Sequence, residues 1–361
     1  MSIARNRSTL IVCFFVILGS WLLNCSVAGA GNSATMFIYH KFGENKYPTT
    51  NVSLERFEEQ MQFLQENTYQ VISLSDLVGL LANDRPLPEK TAVITIDDGY
   101  TSTYTGAWPI LKKYRYPFTV FLYVKAVQSK YRNFLTWSQI KEMQDAGVDF
   151  QSHTYSHQRL GTWDKNLDEE GYRNWISTDI QKSYDILATQ LGVAPLFLAL
   201  PYGEYNSIII EEARQIGFEA VFSQDPGSIS ASTDLFRIPR EPILGNDWAT
   251  MKHFKMVLER VDLPVNDLSP TIEPFTNTTP DNFCASVSDV DTYKKGSFGI
   301  YVSELGWQSA TVAGRRVCIE NTKSLSRRTN RVVVSAREKD TGLSAIHYWL
   351  LLNPNSLALA K

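Results

Sequence analysis

Several things are scarce in this 361-residue sequence, and each shortage excludes a class of protein. The net charge is only −3, from 35 basic and 38 acidic side chains. A molecule so balanced is not built as a whole to neutralise nucleic-acid phosphates. Four cysteines are too few for a disulfide framework. No internal repeat of fixed period is visible, which sets solenoids and arrays aside. Long apolar runs are missing except at the start, where residues 10–23 follow Arg5 and Arg7. That run falls short of the roughly 20 residues a spanning helix needs.

What is present at the start has the form of a secretory signal peptide, residues 1–30: two arginines, an apolar stretch, and a small-residue site at Ala28-Gly29-Ala30. An uncleaved anchor is one alternative. A lipoprotein signal ending at Cys25 is another, disfavoured by Asn24 before the cysteine. Removal of the segment leaves Cys284 and Cys318. In an exported chain these two are expected to pair; two buried thiols are the plain alternative. The expected location is periplasmic or secreted.

From residue 31 to about 264, short apolar runs such as "MFIYH", "AVITID", "FTVFLYV", "VDFQSH" and "PLFLALP" alternate with amphipathic stretches. "LERFEEQMQFLQEN" places Leu54, Phe57, Met61 and Leu64 on one helical face. Alternation of this kind over about 230 residues predicts an α/β domain with a parallel sheet, long enough to close into a barrel. Residues 265–280, preceded by Pro264 and holding Pro270, Pro274 and Pro280, read as a linker. Residues 281–361 consist of short strand-like runs divided by Gly, Asn and Asp, and predict a small all-β, sandwich-like domain. Eight Lys or Arg against two Glu between 315 and 339 make that domain a candidate contact for an anionic glycan or cell surface; a solvated basic face is the plainer reading.

In a parallel α/β barrel, chemistry sits where strands end. The polar residues that end the predicted strands are His40, Asp97-Asp98, Ser152-His153 and Pro201-Tyr202-Gly203. His153 and His157, four apart in "SHTYSH", would face the same way on a helical turn. Two imidazoles so placed, with a carboxylate, make a facial set for one metal ion. The pair in "ITIDDGY" then divides its labour: one acid ligates, and the other stays free to take a proton from water, whose pKa a metal such as zinc lowers towards about 7. A cation also offsets the repulsion between neighbouring carboxylates. Taken alone, Asp-Asp-Gly is an ordinary tight turn.

"TIDDGY", "SHTYSH" and "PYG", in that order and spacing, resemble the polysaccharide deacetylases, carbohydrate esterase family four, over roughly residues 35–260. The resemblance implies a distorted (β/α)7-type barrel and metal-dependent removal of N-acetyl groups from glycans. It casts Asp97 as general base, Asp98, His153 and His157 as metal ligands, and the Tyr202 N–H as oxyanion donor. The metal is expected to be zinc; iron, cobalt and nickel suit the same ligands.

Three departures from the family pattern stand out. Ala199 occupies the place of an arginine that normally steadies the base, and Arg237 or Arg240 in "FRIPREP" is expected to replace it. The fourth motif survives only as Asp247-Trp248. The late histidine that supplies the general acid is not evident, since His253 and His347 sit in the wrong contexts. The branch resembling poly-β-1,6-N-acetylglucosamine deacetylases also starts with a strand ending in Tyr-His and also has Pro-Tyr-Gly-Glu, so His40 is expected to be the acid. Among the aromatic residues near the motifs, Trp137 and Trp163 read as packing, whereas Tyr155 is expected to face the cleft. The predicted activity is release of acetate from a β-linked N-acetylglucosamine polymer. Alternatives are peptidoglycan, chitin or acetylxylan as substrate, or a catalytically weak glycan-binding barrel.

Overall fold

Seven strands run parallel around the first half of the molecule: β1 (Ala34–Tyr39), β2 (Thr91–Asp98), β3 (Thr119–Leu122), β4 (Asp149–Ser152), β5 (Phe197–Ala199), β6 (Ala220–Phe222) and β7 (Glu241–Pro242). Their order is β7-β1-β2-β3-β4-β5-β6. The structure is a computed structural model and describes residues 33–353, apart from 163, 165 and 275–277. The expected signal peptide, with Cys13 and Cys25, and Trp163 lie outside the described residues.

β1 and β2 are buried at every position, as strands covered on both faces must be. Helices cover the outside: α1 (Leu54–Glu66), α2 (Leu74–Ala82), α3 (Trp108–Tyr114), α4 (Trp137–Asp145), α5 (Glu169–Leu191) and α6 (Ser207–Ile216). Local chemistry sets their ends. Ser53 accepts from the Arg56 N–H, Thr136 and Gln139 form a reciprocal capping box, and Asn206 caps α6.

Two details of the barrel do not follow the apolar runs. The apolar run at 69–73, "YQVIS", yields only Gln70–Val71, paired beside Thr91–Ala92 and off the barrel path. The seventh barrel strand comes instead from Glu241–Pro242, which no apolar run announces. It closes the circle. Ile238 exchanges hydrogen bonds with Val221 and Ser223 of the β6 segment, and Glu241–Pro242 pairs with Phe37–Ile38 of β1. Arg240 therefore stands between the last strand and the first.

The C-terminal residues form two sheets. One is β8 (Val265–Ser269), β9 (Asn282–Val287), β13 (Arg316–Glu320) and β12 (Thr311–Ala313), in that order. The other runs β11 (Gly306–Ser309), β10 (Gly299–Val302), β14 (Thr329–Arg337), β15 (Ser344–Leu352), with Val261–Asp262 added beside β15. Phe283, Val287, Ile300, Val317, Val334 and Trp349 share the core between them. Cys284 and Cys318 are bonded across β9 and β13.

The expected linker needs correction at its start. Residues 265–269 are not a connector but strand β8, because their backbone pairs with β9. Pro270 also accepts a hydrogen bond from the Trp349 indole. Nor do the β sheets hang free. Leu350 and Leu352 join Leu160, Tyr172 and Tyr205 in one core cluster, and barrel and sheets cluster as a single unit.

Candidate metal and active site

β2 ends on both acids, and its neighbours bring the rest. Tyr39 is in register with Ile96, so His40 follows at the level of Asp97. Leu122 of β3 bridges Asp98 and Ser152, which places His153 one step beyond. The turn after Asp98 is tight, with Gly99 at φ 76°. A Cβ on Gly99 would lie 2.7 Å from Leu122 Cδ2, so the third residue of Asp-Asp-Gly is fixed by both conformation and space.

Asp97 is fully buried. Arg240, equally buried, grips it with both arms: Nη1 to Oδ1 at 2.7 Å and Nη2 to Oδ2 at 2.9 Å. Arg240 Nη1 also donates to Thr95 Oγ1, two residues back on the same strand face, and Nε donates to the Ser223 carbonyl. Burial raises the Asp97 carboxyl, but Arg240, then His153 and His40, outweigh it and hold it below the usual range. Of the two arginines considered, Arg240 meets Asp97. Arg237 is not part of the site: its Nε bonds Asp234 at 3.0 Å.

Asp98 faces the histidines. Its Oδ1 is 3.0 Å from His157 Nε2 and 3.5 Å from His153 Nε2, and one ligand atom from each of the three lies within 4.8 Å of the others. His153 Nδ1 is 2.8 Å from the Ala199 carbonyl. A carbonyl only accepts, so Nδ1 carries the proton and Nε2 presents its lone pair. Burial pushes this ring down to about 4, against the pull of Asp97, which keeps it neutral. Asp98 Oδ1 and His153 Nε2 are both buried without a hydrogen-bond partner among the described residues. Two acceptors aimed at each other in a dry place are satisfied by a cation, and a carboxylate with two imidazoles is a borderline-soft donor set. The residues fit a divalent transition metal. Asp98 itself is held well below the ordinary carboxylate range: burial opposes this, and His157, His40 and His153 prevail. Burial lowers His157, and Asp98 more than reverses it.

The two histidines do not reach each other by a helical turn, as their spacing suggests. Residues 153–158 are irregular, and their ring centroids lie 4.9 Å apart at 66°. The loop is pinned from α5, where Asp179 accepts from the N–H groups of Tyr155 and Ser156, and Ser183 bonds Ser152. Sequence reading missed both. Their only signal is a polar residue on a helical face otherwise occupied by Ile176, Ile180 and Leu187. Asp98, Thr154, His157 and Tyr202 all take positive φ, at 72°, 63°, 54° and 59°. Strained non-glycine backbone gathered at one place is characteristic of functional sites.

The remaining candidates divide. His40 is buried, and its Nδ1 has no hydrogen-bond partner among the described residues. Tyr202 sits in the turn Pro201–Gly203, whose hydrogen bonds are made by the N–H groups of Gly203 and Glu204. Its ring lies 5.1 Å from that of His157. Tyr155 does not turn to the acids. Its ring carries Lys182 of α5 at 3.8 Å and packs on the barrel core. Trp248 is half-exposed and stacks on His253 rather than on the site. Lys41, unremarked in the sequence, is buried with its Nζ 3.1 Å from the Tyr100 ring centroid.

Comparison with known proteins agrees with this geometry. The family model described as polysaccharide deacetylase matches residues 84–221. The chain is 32% identical over 229 residues to the poly-beta-1,6-N-acetyl-D-glucosamine N-deacetylase of Escherichia coli K12, covering 54% of this chain but only 34% of that one. It is 27% identical to the enzyme of the same name from Staphylococcus epidermidis, covering 60% and 75%. Among solved structures, IcaB from Ammonifex degensii is 26% identical with a TM-score of 0.53, covering 63% of this chain and 96% of the other. Over residues 84–221 the barrel of this chain is thus similar to the polysaccharide deacetylase family.

Proposed function

We propose that this protein is an exported, metal-dependent N-deacetylase that hydrolyses acetamides of a β-linked N-acetylglucosamine polysaccharide, giving acetate and a free amine. One observation carries the reading: two adjacent buried carboxylates have opposite partners, Arg240 on Asp97 and two histidines on Asp98. A binding protein needs no ionised acid held free beside a ligand set.

Asp98, His153 and His157 would hold the cation, zinc first by their donor types and iron, cobalt or nickel next. When bound, it supplies Lewis acidity to the acetamide carbonyl and acidifies water. Asp97 takes the proton from the attacking water, with Arg240 fixing the direction of its lone pairs. The Tyr202 N–H donates to the oxyanion of the tetrahedral species. His40 gives a proton to the departing nitrogen as the C–N bond breaks, and acetate is left. The disulfide suits an oxidising compartment, and no helix among the described residues is long and apolar enough to cross a membrane. The polymer is suggested by the names of the two relatives. Residues 31–264 form the catalytic part in this reading, and 281–361 an accessory one.

The absent arginine at Ala199 and the absent late histidine favour the glycan-binding alternative. Arg240 weakens it by holding Asp97 from the segment just before β7. Acetate release from an N-acetylglucosamine oligomer, measured with and without chelator, tests the proposal. Release that stops with chelator and returns with zinc supports it; release indifferent to chelator sinks it. Parallel assays on chitin, peptidoglycan and acetylxylan fragments rank the substrates.

A further inference from the structure

We infer that the C-terminal β sheets are a working part of the active site, because Arg328 and Arg331 position the Tyr202 turn from outside the barrel. What the turn does rests on the deacetylase reading; the contact does not.

The link runs through Glu204, the residue after Pro-Tyr-Gly. Its side chain is 1% exposed. Arg328, at the start of β14, grips it with two bonds, Nη2 to Oε1 at 2.5 Å and Nη1 to Oε2 at 2.9 Å. Arg159, two residues past His157, donates to Oε1 at 2.7 Å. The Arg159 guanidinium also lies 3.8 Å from the Tyr202 ring centroid, and that ring borders His157. Arg331 reaches the same turn directly, with Nη2 3.5 Å from the Tyr202 carbonyl oxygen. One buried carboxylate thus ties the β sheets, the histidine loop and the Tyr202 turn together.

The turn needs this support. Tyr202 is a non-glycine residue at φ 59°, a conformation that persists only where its surroundings impose it. Gly203 presses on the next strand end, where a Cβ would lie 2.6 Å from the Gln224 nitrogen. Without Arg328, Glu204 keeps a single partner, half-exposed Arg159, and a buried carboxylate so under-paired draws water or moves. An oxyanion donor is effective only when aimed in advance, so a turn released by tenths of an ångström loses rate more than binding.

The experiment uses the full chain with Arg328→Ala, Arg328→Lys and Arg331→Ala. It reads kcat and KM for acetate release, zinc stoichiometry, thermal unfolding, and hydrogen exchange at Tyr202, Gly203 and Glu204. Arg328→Ala is expected to lower kcat about 10- to 100-fold, with KM within about twofold, zinc content unchanged and faster exchange at the three amides. Arg328→Lys keeps the charge but spans one oxygen, and recovers part of the rate. Unchanged kcat and unchanged exchange in folded Arg328→Ala overturn the inference. So does equal loss in all variants through global unfolding with no separate loosening of the turn in Arg328→Lys. If the wild-type chain releases no acetate, the deacetylase reading fails, and the exchange arm still decides whether the clamp exists.

Discussion

At the scale of single residues, the site depends on a charge buried away from water. Asp97 is fully enclosed, and Arg240 is what permits it to stay ionised. Replacing Arg240 by Ala removes one partner of a buried pair, which costs about 3–5 kcal/mol. The pH dependence gives the sign. With Arg240, the folded-state pKa of Asp97 is depressed, so its stabilisation is present above the unfolded value and lost on acidification. Without Arg240, burial wins, the pKa rises, and the folded state favours the protonated acid. The stability deficit of Arg240→Ala is therefore larger at pH 8 than at pH 5, as urea unfolding at both will show, and the acid limb of the kcat/KM profile shifts to higher pH. Asp97 and Asp98 were legible as candidates because a strand ended on them. Arg240 was legible only as one of two, since it lies 143 residues from Asp97 in sequence and the strand that follows it is only two residues long. Ala199 shows why a side-chain motif can mislead. Its side chain cannot steady the base, yet its carbonyl orients His153, and no sequence pattern signals a backbone contact.

At the scale of elements, the histidine loop is the part sequence periodicity described least well. Spacing of four suggested one helical turn, but the loop instead passes through two positive-φ residues, Thr154 and His157. Side-chain oxygens on α5 fix it there. Asp179→Asn turns one of two acceptor oxygens into a donor facing the Tyr155 and Ser156 N–H groups. The expected outcome is zinc affinity lowered about 10- to 100-fold with the fold retained, read by competition with a chromophoric chelator. The long apolar strands β1, β2 and β3 were visible because burial on both faces leaves a continuous apolar run. β7 and β8 were not, because a strand of two residues and one rich in Asn and Asp carry no such run. Within one sheet, Cys284 and Cys318 face each other on the neighbouring strands β9 and β13 and are 34 residues apart in sequence. Chain entropy then gives their bond about 4 kcal/mol, and Cys284→Ser is expected to lower the thermal midpoint accordingly.

At the scale of the molecule, barrel and sheets cluster as one unit, and His347, Asp225 and Arg237 line one cleft. Burial, then Arg237, pushes this histidine down to about 4. It is neutral when folded while its unfolded counterpart takes a proton near 6.5, so stability falls as pH drops from about 6.5 towards 4. His347→Gln is expected to flatten that slope in thermal unfolding across the window. Composition alone gave no hint that the β sheets touch the Tyr202 turn, because their arginines read more plainly as a solvated basic face. The central claim, that the adjacent acids do different work, is tested most directly by one paired measurement: zinc content and acetate release in Asp97→Asn and Asp98→Ala. Loaded with zinc, Asp97→Asn is expected to keep the metal and lose about 10²- to 10⁴-fold in kcat, while Asp98→Ala is expected to lose the metal and the activity with it. Full turnover in Asp97→Asn, or full zinc content in Asp98→Ala, would contradict it.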